Sequence, residues 1–319
     1  MLRDKYYEYD LNENGKIVHY GSKPDDYSTD VLASKAVGFI EATNNIPFFM
    51  LIAPFAPHKE HGMYPIPAPR HFGNFRGLQL PKPPNFNELN VSDKPTSTRT
   101  LPILSQADIN DLTIQFRRRN ETLIAVDDMI GNFRSALVSR GILDNTIVIL
   151  TSDNGYILGE HRWNGTKGVA YEGSIRVPLV MRGPGIPRSQ TRAQLVANID
   201  VTATILQWAG ALVEHESKID GRSFKSVLRD KYAAWRSALL TVRTSANKFR
   251  HFIAIRTARY KYAEYSKSNP LEAELYDLRV DPYEMKNQAD NPTYSSALQV
   301  LKNTLQMLAT CKGKSCWIK

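Results

Sequence analysis

The chain has 319 residues, which at roughly 150 residues per domain predicts two domains or one large domain with an appendage. Hydrophobic residues make up 42% and charged residues 23%, a globular balance that excludes a collagen-like, low-complexity or intrinsically disordered chain. Lys plus Arg number 41 against 32 Asp plus Glu, a net charge of +9; this favours anionic partners such as sulfated glycans, nucleic acid or anionic lipid, or else marks a solvated basic surface.

No apolar run approaches the ~18 residues of a membrane-spanning helix, and the longest, Ile46–Ala53, has strand length. The first ten residues show neither an apolar stretch nor a small-residue cleavage site, so no signal peptide is read there. Tyr6–Tyr20 reads as a hairpin turning at Asn12-Glu13-Asn14-Gly15. A helix follows, capped by Ser28 or Thr29, with Leu32, Ala36, Phe39 and Ile40 on one face. Pro47–Ala53 reads as a buried strand ending in the loop Pro54–His58. Residues 60–105 are rich in Pro and Asn without a sustained period, an irregular surface excursion.

A long helix is predicted from about Gln106 to Arg140, with Leu123, Val126, Ile130, Phe133 and Leu137 as its apolar stripe and Gly141 as its stop. Thr146–Thr151 and Val177–Met181 are runs apolar on both faces, as central parallel strands require. Asp200 caps a further helix ending near Gly210. Strand and helix in alternation predict an α/β core with a mostly parallel sheet flanked by helices. Beyond Trp235, short strands at Ala238–Arg243, Phe252–Thr257, Tyr260–Glu264 and Glu274–Asp277, closed by a helix over Tyr294–Leu308, predict a smaller antiparallel sheet. The boundary falls near residues 225–235, dividing 1–230 from a C-terminal subdomain, 231–319.

Thr151-Ser152-Asp153-Asn154-Gly155 follows a core strand, at the end where open α/β sheets bind ligands. Asp153 and Asn154 offer two oxygens of the kind hard cations take; the same triplet with Gly155 also suits a plain strand-end turn. Lys167 follows on a small-residue loop, where it favours an oxyanion beside such a cation or simply faces solvent. His58 ends the other predicted core strand, which would bring it to the same rim as Asp153. Cys311 and Cys316 enclose four residues including a Gly; they close a small disulfide loop, implying an oxidising compartment, or remain two free thiols. Asn90, Asn120 and Asn164 open Asn-x-Ser/Thr triplets compatible with secretion.

These motifs together resemble the sulfatases of the alkaline phosphatase superfamily. The resemblance rests on Ala56-Pro57-His58, Thr151–Arg162, Lys167 with Tyr171–Pro178, Asp220–Ser223, Glu274–Leu278 and Asp281–Glu284. Tyr27–Ile40, Phe48–His58 and the C-terminal Cys-x4-Cys look most like the glucosamine-6-sulfatase-like branch. The resemblance implies an alkaline-phosphatase-like sheet, here incomplete, and a sulfuric ester hydrolase acting on a sulfated sugar or glycosaminoglycan rather than on nucleic acid. It implies that Asp153 and Asn154 are ligands of a divalent cation, usually Ca²⁺. Lys167 would hold the sulfate and steady the leaving oxygen, His58 would contact the ester and help protonate the leaving alcohol, and His161 would contact substrate. It further implies a secreted, lysosomal or periplasmic location.

The family's nucleophile is a formylglycine made within Cys/Ser-x-Pro/Ala-x-Arg, and no such motif is built on Cys311 or Cys316, the only cysteines. The chain therefore reads as beginning partway through the catalytic domain, with the N-terminal half of that domain as its expected partner and an inactive isolated chain as the result. Two other readings stand beside this one: a non-catalytic remnant that binds anionic glycans, and a metal-dependent phosphatase or phosphodiesterase of the same superfamily.

Overall fold

Asn14 and Gly15 both take positive φ, 54° and 98°, the backbone that a two-residue hairpin turn requires. On this turn β1 (Tyr9–Glu13) pairs antiparallel with β2 (Lys16–Tyr20), Tyr9 opposite Tyr20. The computed structural model describes residues 5–44, 46–211, 219–245, 251–265 and 270–318; the first four residues of the N-terminal reading lie outside them. The chain divides into two compact units, Met1–Pro81 with Ser105–Ile147, and Lys82–Leu104 with Val148–Lys319.

In the first unit, α1 (Ser28–Ala42) packs on α2 (Gln106–Ser139). Ser105 and Asp108 start α2 with a capping box, Asp108 N donating to Ser105 Oγ at 3.2 Å and Ser105 N to Asp108 Oδ2 at 2.8 Å. Gly141, at φ 68°, ends it. The buried face of α2 follows the predicted stripe only in part: Leu137 is buried and Val126 packs against a core cluster, but Leu123 is 42% exposed, and Leu112, Gln115, Glu121, Thr122, Ala125, Met129 and Ala136 are buried as well. Polar side chains turn inward because they hold the proline-rich excursion. The Glu121 carboxylate accepts from Gly73 N at 2.9 Å, Arg117 Nε donates to Leu78 O at 2.8 Å, and Tyr64 OH donates to Asp111 at 2.5 Å. Residues 47–53 form no ladder among the described residues, contrary to the predicted strand, and Phe49 and Leu51 are 66% and 80% exposed. An apolar run becomes a strand only when a neighbour supplies the complementary row of N–H and C=O groups, and composition cannot name that neighbour.

In the second unit, β3 (Val148–Thr151) pairs with β4 (Leu179–Arg182) antiparallel, Thr151 opposite Leu179. The predicted parallel arrangement therefore does not hold for this pair, and every ladder among the described residues is antiparallel. A parallel pair needs a crossover connection, usually one carrying an α-helix that packs back on the sheet. Between β3 and β4 the chain offers only the single helical turn Glu172–Ile175. After α3 (Asn198–Trp208), strands β5 (Ala238–Arg243), β6 (Phe252–Thr257), β7 (Tyr260–Tyr265) and β8 (Glu272–Asp277) pair in sequence order as an antiparallel sheet, where the sequence predicts one. Helix α4 (Ser295–Ala309) lays Leu301, Leu305 and Leu308 against Ile255, Tyr262 and Leu275; each such buried leucine contributes about 1.5–3 kcal/mol. Residues 148–230 group with this sheet.

Candidate active site

The segment after β3 is built from backbone contacts that leave little freedom. Ile157 and Thr166 exchange N–H···O bonds of 2.8 and 3.1 Å, closing residues 157–166 into a loop, and Tyr156 OH donates to Gly165 O at 2.9 Å. Gly155 N donates to Ser174 O at 2.9 Å, and a side chain at residue 155 would collide with the carbonyl oxygen of Gly173. Glycine is required there for close approach of two backbones. The folded loop returns Lys167 to Asn154, and Lys167 Nζ lies 3.1 Å from Asn154 Oδ1.

Asp153 is exposed beside this pair, its Oδ1 accepting from Asn154 N at 2.9 Å. The first residue of α3 supports the turn from outside: Asn198 Nδ2 donates to the carbonyls of Ser152 and Asp153 at 3.0 and 3.3 Å. Thus the structure brings the Lys167 ammonium to the Asn154 amide oxygen, and the exposed Asp153 carboxylate sits on the adjoining residue. For a divalent cation, the donor set fits in kind, since Asp153 and Asn154 supply the oxygens hard cations take. It does not fit in number: among the described residues no group of three or more His, Cys, Asp or Glu gathers to hold a metal.

His161 does not join that contact. It is fully buried, its Nδ1 2.6 Å from Glu88 Oε2 and its Nε2 3.2 Å from Asn85 Nδ2, with its ring stacked on Tyr171 at 4.2 Å. Both ring nitrogens are thereby engaged in fastening residues 85–88 to the loop. His58 belongs to the first unit and is exposed there. Its Nδ1 lies 2.7 Å from Lys59 O. A carbonyl only accepts, so Nδ1 carries a hydrogen.

Behind the loop lies a buried polar cluster that sequence reading did not find. The Glu274 carboxylate accepts from Tyr171, Tyr265 and Tyr276 hydroxyls at 2.8, 2.5 and 2.5 Å. Burial, reinforced by the Glu274 charge, pushes these three phenols well above their usual range. Burial also pushes the Lys261 ammonium down to about 8. Tyr171 lies far from Glu274 in sequence, and the local signal was the aromatic density of Tyr260–Tyr265 and Glu274–Tyr276. Cys311 and Cys316 are joined by a disulfide.

Two family descriptions match the chain: Sulfatase over residues 2–211, and N-sulphoglucosamine sulphohydrolase, C-terminal, over residues 159–310. The chain belongs to the sulfatase family. This sulfatase chain is 31% identical to an N-acetylglucosamine-6-sulfatase of Bos taurus, over 98% of its own length and 60% of that protein's. It is 32% identical to an arylsulfatase of Volvox carteri, over 92% of its own length and 52% of that protein's. It therefore spans between half and two thirds of the length of these relatives. A solved structure of BT4656 in complex with its substrate D-glucosamine-2-N,6-O-disulfate superposes with a TM-score of 0.80 at 27% identity, covering 95% of this chain and 72% of that one. These likenesses establish an α/β sulfatase fold.

Proposed function

We propose that the chain forms part of a sulfuric ester hydrolase acting on a sulfated sugar or glycosaminoglycan, with a substrate like N-acetylglucosamine 6-sulfate. The observation that carries this reading is the Lys167–Asn154 contact beside exposed Asp153, in a family whose relatives bear the name N-acetylglucosamine-6-sulfatase. Lys167 offers a localised positive charge to sulfate oxygens. By the family resemblance, His58 would help protonate the leaving alcohol once its ring has taken up a second proton. Asp153 and Asn154 would contribute two oxygens toward a divalent cation, Ca²⁺ by family resemblance, whose chemistry would be Lewis-acid charge. His161 serves as a brace for the loop. The attack on sulfur is assigned to no residue of the chain, whose two cysteines are tied to each other. The disulfide supports a secreted, lysosomal or periplasmic location, and no described helix is long and apolar enough to cross a membrane.

A second reading, retention of anionic glycans without turnover, draws on the +9 charge balance and on the lack of a Cys-x-Pro/Ala-x-Arg stretch in these residues. One titration series separates the readings. The chain is titrated with N-acetylglucosamine, its 6-sulfate and its 6-phosphate, with and without Ca²⁺, while free sulfate is assayed. Preference for the 6-sulfate that is lost in Lys167→Ala supports the proposed site, and released sulfate distinguishes hydrolysis from retention. Preference for the 6-phosphate indicates a phosphatase or phosphodiesterase, and equal indifference to all three sugars overturns the proposal.

A further inference from the structure

Three strands of the C-terminal sheet each send one cation into residues 167–172. From the end of β5, Arg243 donates to Lys167 O at 3.0 Å and also to Gly168 O. From β6, Arg256 holds both carboxylate oxygens of Glu172, at 3.0 and 3.2 Å. From β7, fully buried Lys261 donates to Ala170 O and to Glu284 Oε1, and the other oxygen of Glu284 accepts from Glu172 N at 2.9 Å. Arg256 and Lys261 are direct cross-strand partners. Like charges opposite one another destabilise a sheet, so this pairing is sustained by the Glu172 and Glu284 carboxylates that it reaches.

Arg243 has the most direct relation to the site. Its guanidinium spans two successive carbonyls with the planar fork that distinguishes arginine from lysine. It fills the space beside Gly168, where a Cβ would overlap it and where φ is +71°. The amides of the same stretch are held from the opposite side, Gly168 N and Val169 N donating to Ser174 Oγ at 2.8 and 3.3 Å. The backbone of Lys167 is therefore fixed by its own carbonyl and by both polar groups of the next residue.

We infer that Arg243 is a positioning residue for sulfate recognition: by clamping the Lys167 and Gly168 carbonyls it holds the Lys167 ammonium against Asn154, and so makes sulfate affinity depend on the C-terminal sheet. This rests on the reading of Lys167 as the sulfate-binding cation.

The test compares the full chain with Arg243→Ala, Arg243→Lys, Lys167→Ala and the Arg243→Ala/Lys167→Ala double variant. Calorimetric affinity for N-acetylglucosamine 6-sulfate, thermal midpoint and residue-resolved amide exchange are measured on each. Arg243→Ala is expected to weaken affinity about tenfold, since neighbouring groups in one network couple strongly. Arg243→Lys should recover part of that loss, and the double variant should bind no more weakly than Lys167→Ala alone. Exchange at Gly168 and Val169 should quicken about tenfold while β6 and β7 keep their protection. Affinity losses that multiply independently, or unchanged exchange at Gly168 and Val169, overturn the inference. Should the wild-type chain fail to bind the sulfated sugar, the proposed function falls, and the exchange comparison still decides whether Arg243 fixes the loop. Arg243→Lys, which keeps the charge without the fork, provides that comparison if Arg243→Ala does not fold.

Discussion

The ammonium of Lys167 and the side-chain oxygen of Asn154, separated by 13 residues, meet at 3.1 Å. The contact sets a positive charge against an amide oxygen, next in sequence to an exposed carboxylate, and neither partner is fully buried. Asn154→Ala should therefore affect recognition more than folding. Sulfated-sugar affinity is expected to fall about ten- to a hundredfold, in keeping with about 1.5–3 kcal/mol for a hydrogen bond to a charged group. The melting temperature should move by no more than a few degrees. A large drop in melting temperature with intact affinity would show the contact to be structural instead.

Metal binding should be weak. Ca²⁺ takes about six to eight oxygens, and Asp153 with Asn154 provides only a few. Titration of the chain with Ca²⁺ is expected to give a dissociation constant of about 10⁻⁴ M or weaker, with the heat abolished in Asp153→Ala. Tight stoichiometric binding would mean that other oxygens complete the shell.

The Glu274 cluster should be costly to break. Glu274→Ala removes the carboxylate that accepts from three buried tyrosine hydroxyls, of which Tyr171 keeps the Thr98 hydroxyl at 3.1 Å, and a loss of about 3 kcal/mol or more in urea unfolding is expected. Glu274→Gln, which keeps one acceptor oxygen, should cost less. Equal losses in the two variants would point to cavity formation rather than unmet hydrogen bonds.

The same cluster sets the alkaline limit. Tyr171, Tyr265 and Tyr276 have folded-state pKa values raised above the unfolded value of about 10. Their contribution is complete below that pH and is lost as pH climbs above it, because only the unfolded chain releases these protons. Lys261 acts in the opposite sense. Its folded value is lowered to about 8, so the unfolded chain binds more protons between there and about 10.4, and stability gains across that window. Unfolding measured from pH 8 upward should show stability rising toward pH ~10 and then falling, with the rise flattened in Lys261→Met. Tyrosinate absorbance from these three rings should appear only as the far-ultraviolet circular dichroism collapses, and Tyr276→Phe should reduce that late step.

Legibility in the sequence followed the range of the interactions. The first hairpin, the span of α2, the four C-terminal strands and the Asp153–Asn154 turn all arise from local spacing, and all were readable. The direction of the β3–β4 pair, the exposure of Phe49 and Leu51 and the buried face of α2 depend on distant neighbours. Glu121 illustrates the limit: on a helix it reads as a solvated acid, yet it is buried because Gly73 and Arg118 satisfy it. His161 shows the same limit at the site. Its place in Gly159-Glu160-His161 suggests substrate contact, and only Glu88 and Asn85 reveal a brace.

The cations behind the 167–172 loop also bear on how such proteins can be recombined. The two family descriptions overlap across residues 159–211, and a protein engineer joining halves of two relatives would find the end of that overlap an inviting junction. Lys167 would then come from one parent, while Arg243, Arg256 and Lys261 came from the other. A graft made there would inherit a loop fitted to one sheet and a sheet fitted to another loop, so the exchangeable block must run unbroken from the turn after β3 through at least Glu284.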